Sequence, residues 1–173
     1  MSRRRQSHEP GHYRKFLVIA DDTAECDRAL YYAARRAART HGGVVLLGVL
    51  ELADASSQWL GVAELMRAEA TDKAEARLGQ LAARARAVSG AGAHDPEQVL
   101  REGELAAEIL KVIEADEDIA ILVLAAGTGH ESAGSPGPGP LIASLAKGVW
   151  AGLHIPVTIV PGGLSDAEID ALA

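Results

Sequence analysis

Cys26 is the only cysteine among 173 residues, so no intrachain disulfide can form and a disulfide-framed secreted domain is excluded. Aromatic residues are scarce too, at 3% of the chain against 48% for all hydrophobic types. A core of this composition is built from Ala, Val, Leu and Ile, which suits helices lying close on a sheet. No apolar run approaches the roughly 18–20 residues of a membrane span, and residues 6–15 (QSHEPGHYRK) lack the apolar segment of a leader peptide. These absences predict a reducing, cytoplasmic location and no membrane partner.

Positive charge is also in short supply. The formal net charge is -7, and Arg3, Arg4, Arg5, Arg14 and Lys15 are concentrated in the first fifteen residues against Glu9. The remainder has 12 basic and 23 acidic residues, a net -11. An acidic body repels phosphate backbones, so nucleic acid is not an expected partner. Residues 1–15 read as a solvated, disordered basic arm. The length of the rest fits one domain, residues 16–161, followed by a short tail, 162–173.

Apolar runs and helical periodicity alternate along that domain. Residues 16–20 (FLVIA) form a short, doubly buried strand. Asp22 and Glu25 have capping-box spacing ahead of an Ala-rich helix whose face carries Cys26, Leu30, Ala33 and Ala37, and His41-Gly42-Gly43 stops it. Residues 44–50 (VVLLGVL) make a second strand. Helix formers dominate residues 57–88, as one long helix or two, with Leu78, Leu81 and Ala85 on the sheet-facing side. A weak strand at 98–101 precedes a helix with Ala106, Ile109, Leu110 and Ile113 inward. Residues 119–126 (IAILVLAA) predict a central strand.

Residues 127–140 (GTGHESAGSPGPGP) cannot be regular structure. Pro140 suits the first turn of a helix with Leu141, Leu145 and Val149 on one face. The last strand, residues 155–160, opens at Ile155 and closes at Val160. Ser165 and Glu168 then supply a capping box for a helical turn in the tail. The sum is an α/β fold: an open, five-stranded, mostly parallel sheet with helices on both faces. Ligands of such folds sit beyond the carboxyl ends of the strands, where connections diverge.

Candidate residues follow from that rule. Asp21, Asp22 and Thr23 come directly after the first strand, where a phosphate, a metal or a ribose could be met; capping of the helix accounts equally for Asp22 or Thr23. The loop after the fourth strand has Gly127, Gly129 and three further glycines. Their backbone N–H groups could form an anion cradle with the hydroxyl of Ser144, or the segment is a surface loop. A phosphoacceptor domain is excluded, because no aspartate ends the third strand and no lysine the last. The P-loop motif GxxxxGK is absent, and the first strand-to-helix turn contains no glycine of a dinucleotide fingerprint. Cys26 on an apolar face reads as core, the histidines lack metal-ligand spacing, and Trp59 and Trp150 read as packing or interface residues. No nucleophile, acid–base pair or metal site is assigned.

Three segments carry a family resemblance. FLVIADDTAECDRAL resembles the opening strand, aspartate and helix of universal stress proteins. VLREGELAAEILKVIE resembles their third strand and following helix, and LIASLAKGVWAGLHIPVTIVP their last helix and strand. The resemblance spans residues 16–161. It implies an adenine-nucleotide site, for ATP with Mg2+ or a related nucleotide, with Asp21 and Val49 near the adenosine. Gly127, Thr128, Gly129, Ser144 and Leu145 would lie near the phosphates. The family's ATP-binding signature, G-x2-G-x9-G followed by Ser or Thr, is altered here: Ala125 and Thr128 stand at the first two glycines and Ala143-Ser144 at the last pair. The resemblance also implies a homodimer through the last strand, whose apolar edge independently calls for a partner. The expectation is a non-catalytic stress-response protein with an unidentified protein client. The alternatives are a nucleotide-free interaction module, or a nucleotide-hydrolysing enzyme of related fold.

Overall fold

The computed structural model describes residues 4–51, 60–128, 142–143 and 152–173. β1 (Lys15–Ile19) leads through α1 (Cys26–Thr40) to β2 (Gly43–Leu50), and α2 (Leu60–Ser89) leads to β3 (Glu97–Glu102). α3 (Leu105–Ala115) precedes β4 (Ile119–Ala126), and β5 (Val157–Pro161) precedes α4 (Asp166–Leu172). The five strands form one sheet in the order β3-β2-β1-β4-β5, with every neighbouring pair parallel. Val18 at its centre pairs with Leu46 on one side and Val123 on the other.

Alternation along these strands divides the core in two. Phe16, Val18, Val44, Leu46, Val123 and Ala125 face α1, α2 and α4, while Leu17, Ile19, Val45, Leu47, Leu122 and Leu124 face α3, Ile142 and Ile155. Both sheet faces are covered, which is why the strands read as continuous apolar runs. Ala33, Ala34 and Ala37 are fully buried and let α1 lie close on the sheet. Of residues 57–88, those described, from Leu60 on, form a single helix with Leu78, Leu81, Ala82 and Ala85 buried.

Four expectations change. Glu25, not Asp22, is the N-cap of α1, without a side-chain cap bond. Asp22 is exposed and meets Lys73 at 3.3 Å instead, while Thr23 donates to Asp21 in the same turn. The last strand begins at Val157, so Ile155 is a buried residue ahead of it rather than part of it. The basic arm is not a solvated chain over residues 4–14. Arg5 donates to the carbonyls of Ile113 and Asp116 at 2.6 and 2.8 Å, and His12 meets Asp118 at 2.7 Å. Tyr13 donates to Glu97 at the start of β3 at 3.0 Å and stacks on His94 just before it, while the end of α3 and the α3–β4 turn present the carbonyls and carboxylate that Arg5 and His12 meet. Lys15 belongs to β1 and pairs with Glu97 and Asp116.

The tail is bound in as well. Ser165 and Glu168 form the capping box of α4, and Ile169 is fully buried in the α1 face of the core. Arg28 donates to the Leu164 carbonyl at 2.9 Å and pairs with Asp166 at 2.7 Å, while Arg35 pairs with Asp170 at 2.6 Å. Ile142 and Ala143 are helical, in the place expected for the helix after Pro140; the rest of that helix lies outside the described residues.

Candidate functional site

β1 continues through α1 to β2 on one side, and β4 joins the other side of β1, so the chain diverges at the carboxyl ends of β1 and β4. In open parallel sheets this is where a crevice forms. A cleft of about 310 Å³ opens beside that point, lined along its β1 wall by Asp21 and Asp22 and along its β2 wall by Gly48, Val49 and Glu51. α2 forms the opposite wall with Lys73, Ala74 and Arg77. A helix of 30 residues is about 45 Å long, more than any strand here, so its first turns overhang the strand ends, and the turns that carry Lys73 and Arg77 flank the cleft. Gly48 permits that wall to close in: a Cβ there would stand 3.2 Å from Leu100 Cδ1 and 3.4 Å from Leu78 Cδ1.

Asp21 is held by its own turn. Its Oδ1 accepts from the Thr23 amide at 3.0 Å and from the Thr23 hydroxyl at 2.6 Å, and its backbone carbonyl accepts from Arg77 Nε and Nη2 at 3.4 and 3.3 Å. Oδ2 has no protein donor among the described residues and is free to accept from a ligand. Asp22 is exposed and meets Lys73 at 3.3 Å, and Glu51 accepts from the Leu105 amide at the start of α3 at 2.9 Å. The cleft thus offers acceptors on its sheet side and donors on its helix side. Lys73, Arg77 and Glu51 are not among the residues expected from the sequence; the only signal for the first two is a pair of cations four apart on a helix.

The expected residues separate into three groups. Asp21 and Val49 are brought together in the cleft. Gly127 and Thr128 follow β4, and Thr128 sits by the turn after β5 rather than in the cleft lining. A Cβ on Gly162 would stand 3.4 Å from Thr128 Cγ2, 3.3 Å from Glu25 Cβ and only 2.3 Å from the Ala126 carbonyl, so the turn fits only as glycine. Gly129, Ser144 and Leu145 lie outside the described residues, as do Trp59 and Trp150.

Asp21 also borders a space of about 10 Å³ shared with Ile19, Cys26, Val123 and Ala125, room for no more than a water. Burial raises the Cys26 thiol to about 11, and Sγ donates to the Ile19 carbonyl at 3.5 Å. It is therefore a protonated core thiol at neutral pH. Among the described residues no cluster of three His, Cys, Asp or Glu could hold a metal, and no helix is long and apolar enough to cross a membrane.

A sequence model described as the universal stress protein family matches residues 12–161. A comparison with curated protein sequences found no match. Among solved structures, the universal stress protein UspA from Lactobacillus plantarum is 21% identical with a TM-score of 0.66, covering 86% of this chain and 97% of that one. A universal stress protein from Archaeoglobus fulgidus in complex with dAMP is 19% identical with a TM-score of 0.56, over 86% of this chain and 98% of that one. A family member from Arabidopsis thaliana with AMP bound is 18% identical with a TM-score of 0.56, over 86% and 91%. At these identities the likeness speaks to the fold.

Proposed function

Because the chain belongs to the universal stress protein family, we propose that it is a non-catalytic, homodimeric protein that binds an adenine nucleotide in the cleft between β1, β2 and α2. The observation that carries this reading is the Asp21 carboxylate. One oxygen is used by Thr23, the other has no protein donor among the described residues, and Asp21 lines the 310 Å³ cleft, where that oxygen could accept from a ribose hydroxyl. Ile19, Ala20, Gly48, Val49 and Leu105 supply apolar surface for a base in the same space. The phosphates would then extend past the end of β4 towards Gly127, Thr128 and Gly129, with Ser144 and Leu145 at the far side. The solved complexes with dAMP and with AMP support an adenine nucleotide as the ligand class.

Calorimetric titration of AMP, and of ATP with and without Mg2+, tests the reading. Saturable binding is expected, weakened about tenfold or more by Asp21→Asn, the scale of one lost hydrogen bond to a charged group. No saturable binding of any of these ligands overturns it.

Dimerisation is supported by the edge position of β5. It pairs with β4 alone among the described strands, and Ile159 on it is 46% exposed. An open parallel edge with an exposed isoleucine favours pairing with a second copy. Sedimentation should give a dimer for the wild type and a monomer for Ile159→Glu; a wild-type monomer at all concentrations rejects it.

A nucleotide-free interaction module is the second reading, favoured by Val62, Leu65 and Met66. They lie on one side of the overhanging turns of α2 and are 51, 60 and 63% exposed. It gains if no nucleotide binds.

A further inference from the structure

Two cations line the cleft, and a neutral base and ribose leave both of them without a role. Arg77 ion-pairs with no carboxylate among the described residues. Its Nε and Nη2 reach only the neutral carbonyl of Asp21, at 3.4 and 3.3 Å, and Nη1 has no protein partner among those residues. The side chain is half-buried, so its charge is less screened than that of a fully exposed arginine. Lys73, one turn earlier, meets Asp22 at 3.3 Å, but both side chains are about three-quarters exposed, at 75 and 73%. An exposed pair of that kind contributes little and is readily exchanged for a better partner.

The carboxylates of Asp21, held at one oxygen by Thr23, and Glu51, which accepts from the Leu105 amide, lie on the sheet side of the cleft. An anion entering along α2 would therefore face Arg77 and Lys73 first. Arginine is suited to phosphate because its planar fork donates two parallel hydrogen bonds. In dinucleotide-binding sheets, an arginine near the ribose accommodates a 2′ phosphate in this way.

We infer that Arg77, assisted by Lys73, forms a second anion subsite on the α2 wall, and that the cleft selects adenine nucleotides carrying a phosphate on the ribose 2′ or 3′ hydroxyl in addition to the 5′ phosphate. This inference rests on the nucleotide reading and names its ligand more closely. The 5′ phosphate leaves past β4, while the ribose phosphate turns towards α2. No bond is made or broken.

The test is calorimetry on the full chain with three probes: 5′-AMP, adenosine 2′,5′-bisphosphate and adenosine 3′,5′-bisphosphate. One of the bisphosphates is expected to bind about tenfold or more tightly than AMP, the range of one charge-assisted phosphate contact. In Arg77→Met the bisphosphate should lose its advantage over AMP, both measured on the same variant, whereas Arg77→Lys should retain part of it. The gain should also shrink with added salt. Equal affinities for AMP and both bisphosphates overturn the inference while leaving the nucleotide reading intact. So does an Arg77→Met variant that weakens AMP and bisphosphate alike, since that reports a structural role through Asp21. Should Arg77→Met fail to fold, Arg77→Lys and Lys73→Met decide by the same comparison. Binding of none of the three probes to the wild type overturns this inference, and the nucleotide reading falls with it if ATP does not bind either.

Discussion

Asp21 and Cys26 are five residues apart and lie on either side of the same turn, yet their surroundings give them opposite chemistry. Asp21 lines the cleft, tied at one oxygen by Thr23 and without a protein donor at the other among the described residues. Cys26 faces Ile19 and Val123, and burial raises its thiol to about 11. At pH 7 the nucleophilic thiolate is therefore a minute fraction of the native population. An aromatic disulfide reagent should react with the folded protein far more slowly than with the protein in denaturant, and a comparable rate in both would show that the site opens readily. Cys26 and its core role were legible in the sequence from an Ala-rich helical face. The open oxygen of Asp21 was not, because it depends on which way the turn directs Thr23.

α4 shows how an element of seven residues becomes part of the core. Its capping box was readable from Ser165 and Glu168, since those contacts are local. Its docking was not, because the partners Arg28, Tyr31, Arg35 and Arg39 lie more than a hundred residues away on α1. Arg39 donates to the carbonyls of Asp170 and Ala173, and the Tyr31 hydroxyl donates to Asp170 at 3.3 Å. Ile169 fills the space beneath and is fully buried. Ile169→Ala should cost about 2–5 kcal/mol, the range for truncating a buried aliphatic side chain. Denaturant titration checks this, and a loss below about 1 kcal/mol would mean that α4 is loosely held. The helix belongs to the fold, although the matched family region ends at residue 161.

For the whole molecule the acidic composition sets the response to pH. Asp27 is a case with the sign in view. Burial pushes its carboxyl up, but hydrogen bonds from Arg84 and Arg28 outweigh that and hold it below the usual range. A carboxylate depressed in the folded state stabilises the fold at pH above its unfolded value, about 3.9, and that contribution fades as pH falls through the lower folded value. The group is partly exposed, so the effect is screened and modest. Asp27→Asn should therefore lower stability at pH 7 and narrow the gap to wild type as pH drops below about 4. A constant gap across that window would assign the loss to packing instead. A bound nucleotide acts at the same scale: at a hundredfold excess over Kd it should add about 2.7 kcal/mol, read as a rise of several degrees in Tm.

The sequence by itself determined the order of elements, the parallel sheet and the family, because runs such as residues 119–126 and the helical spacing of Ile109 and Ile113 are local consequences of burying one face or two. It also placed Asp21 and Val49 at strand ends, where the topology makes ligand sites. Only the tertiary structure decided that residues 4–14 strap onto the α3–β4 turn, that α4 closes over α1, and that Lys73 and Arg77 stand opposite Asp21. Each of these joins segments distant in the chain by charge and carbonyl geometry, and helical periodicity carries no record of which surface a cation will face once α2 overhangs the sheet.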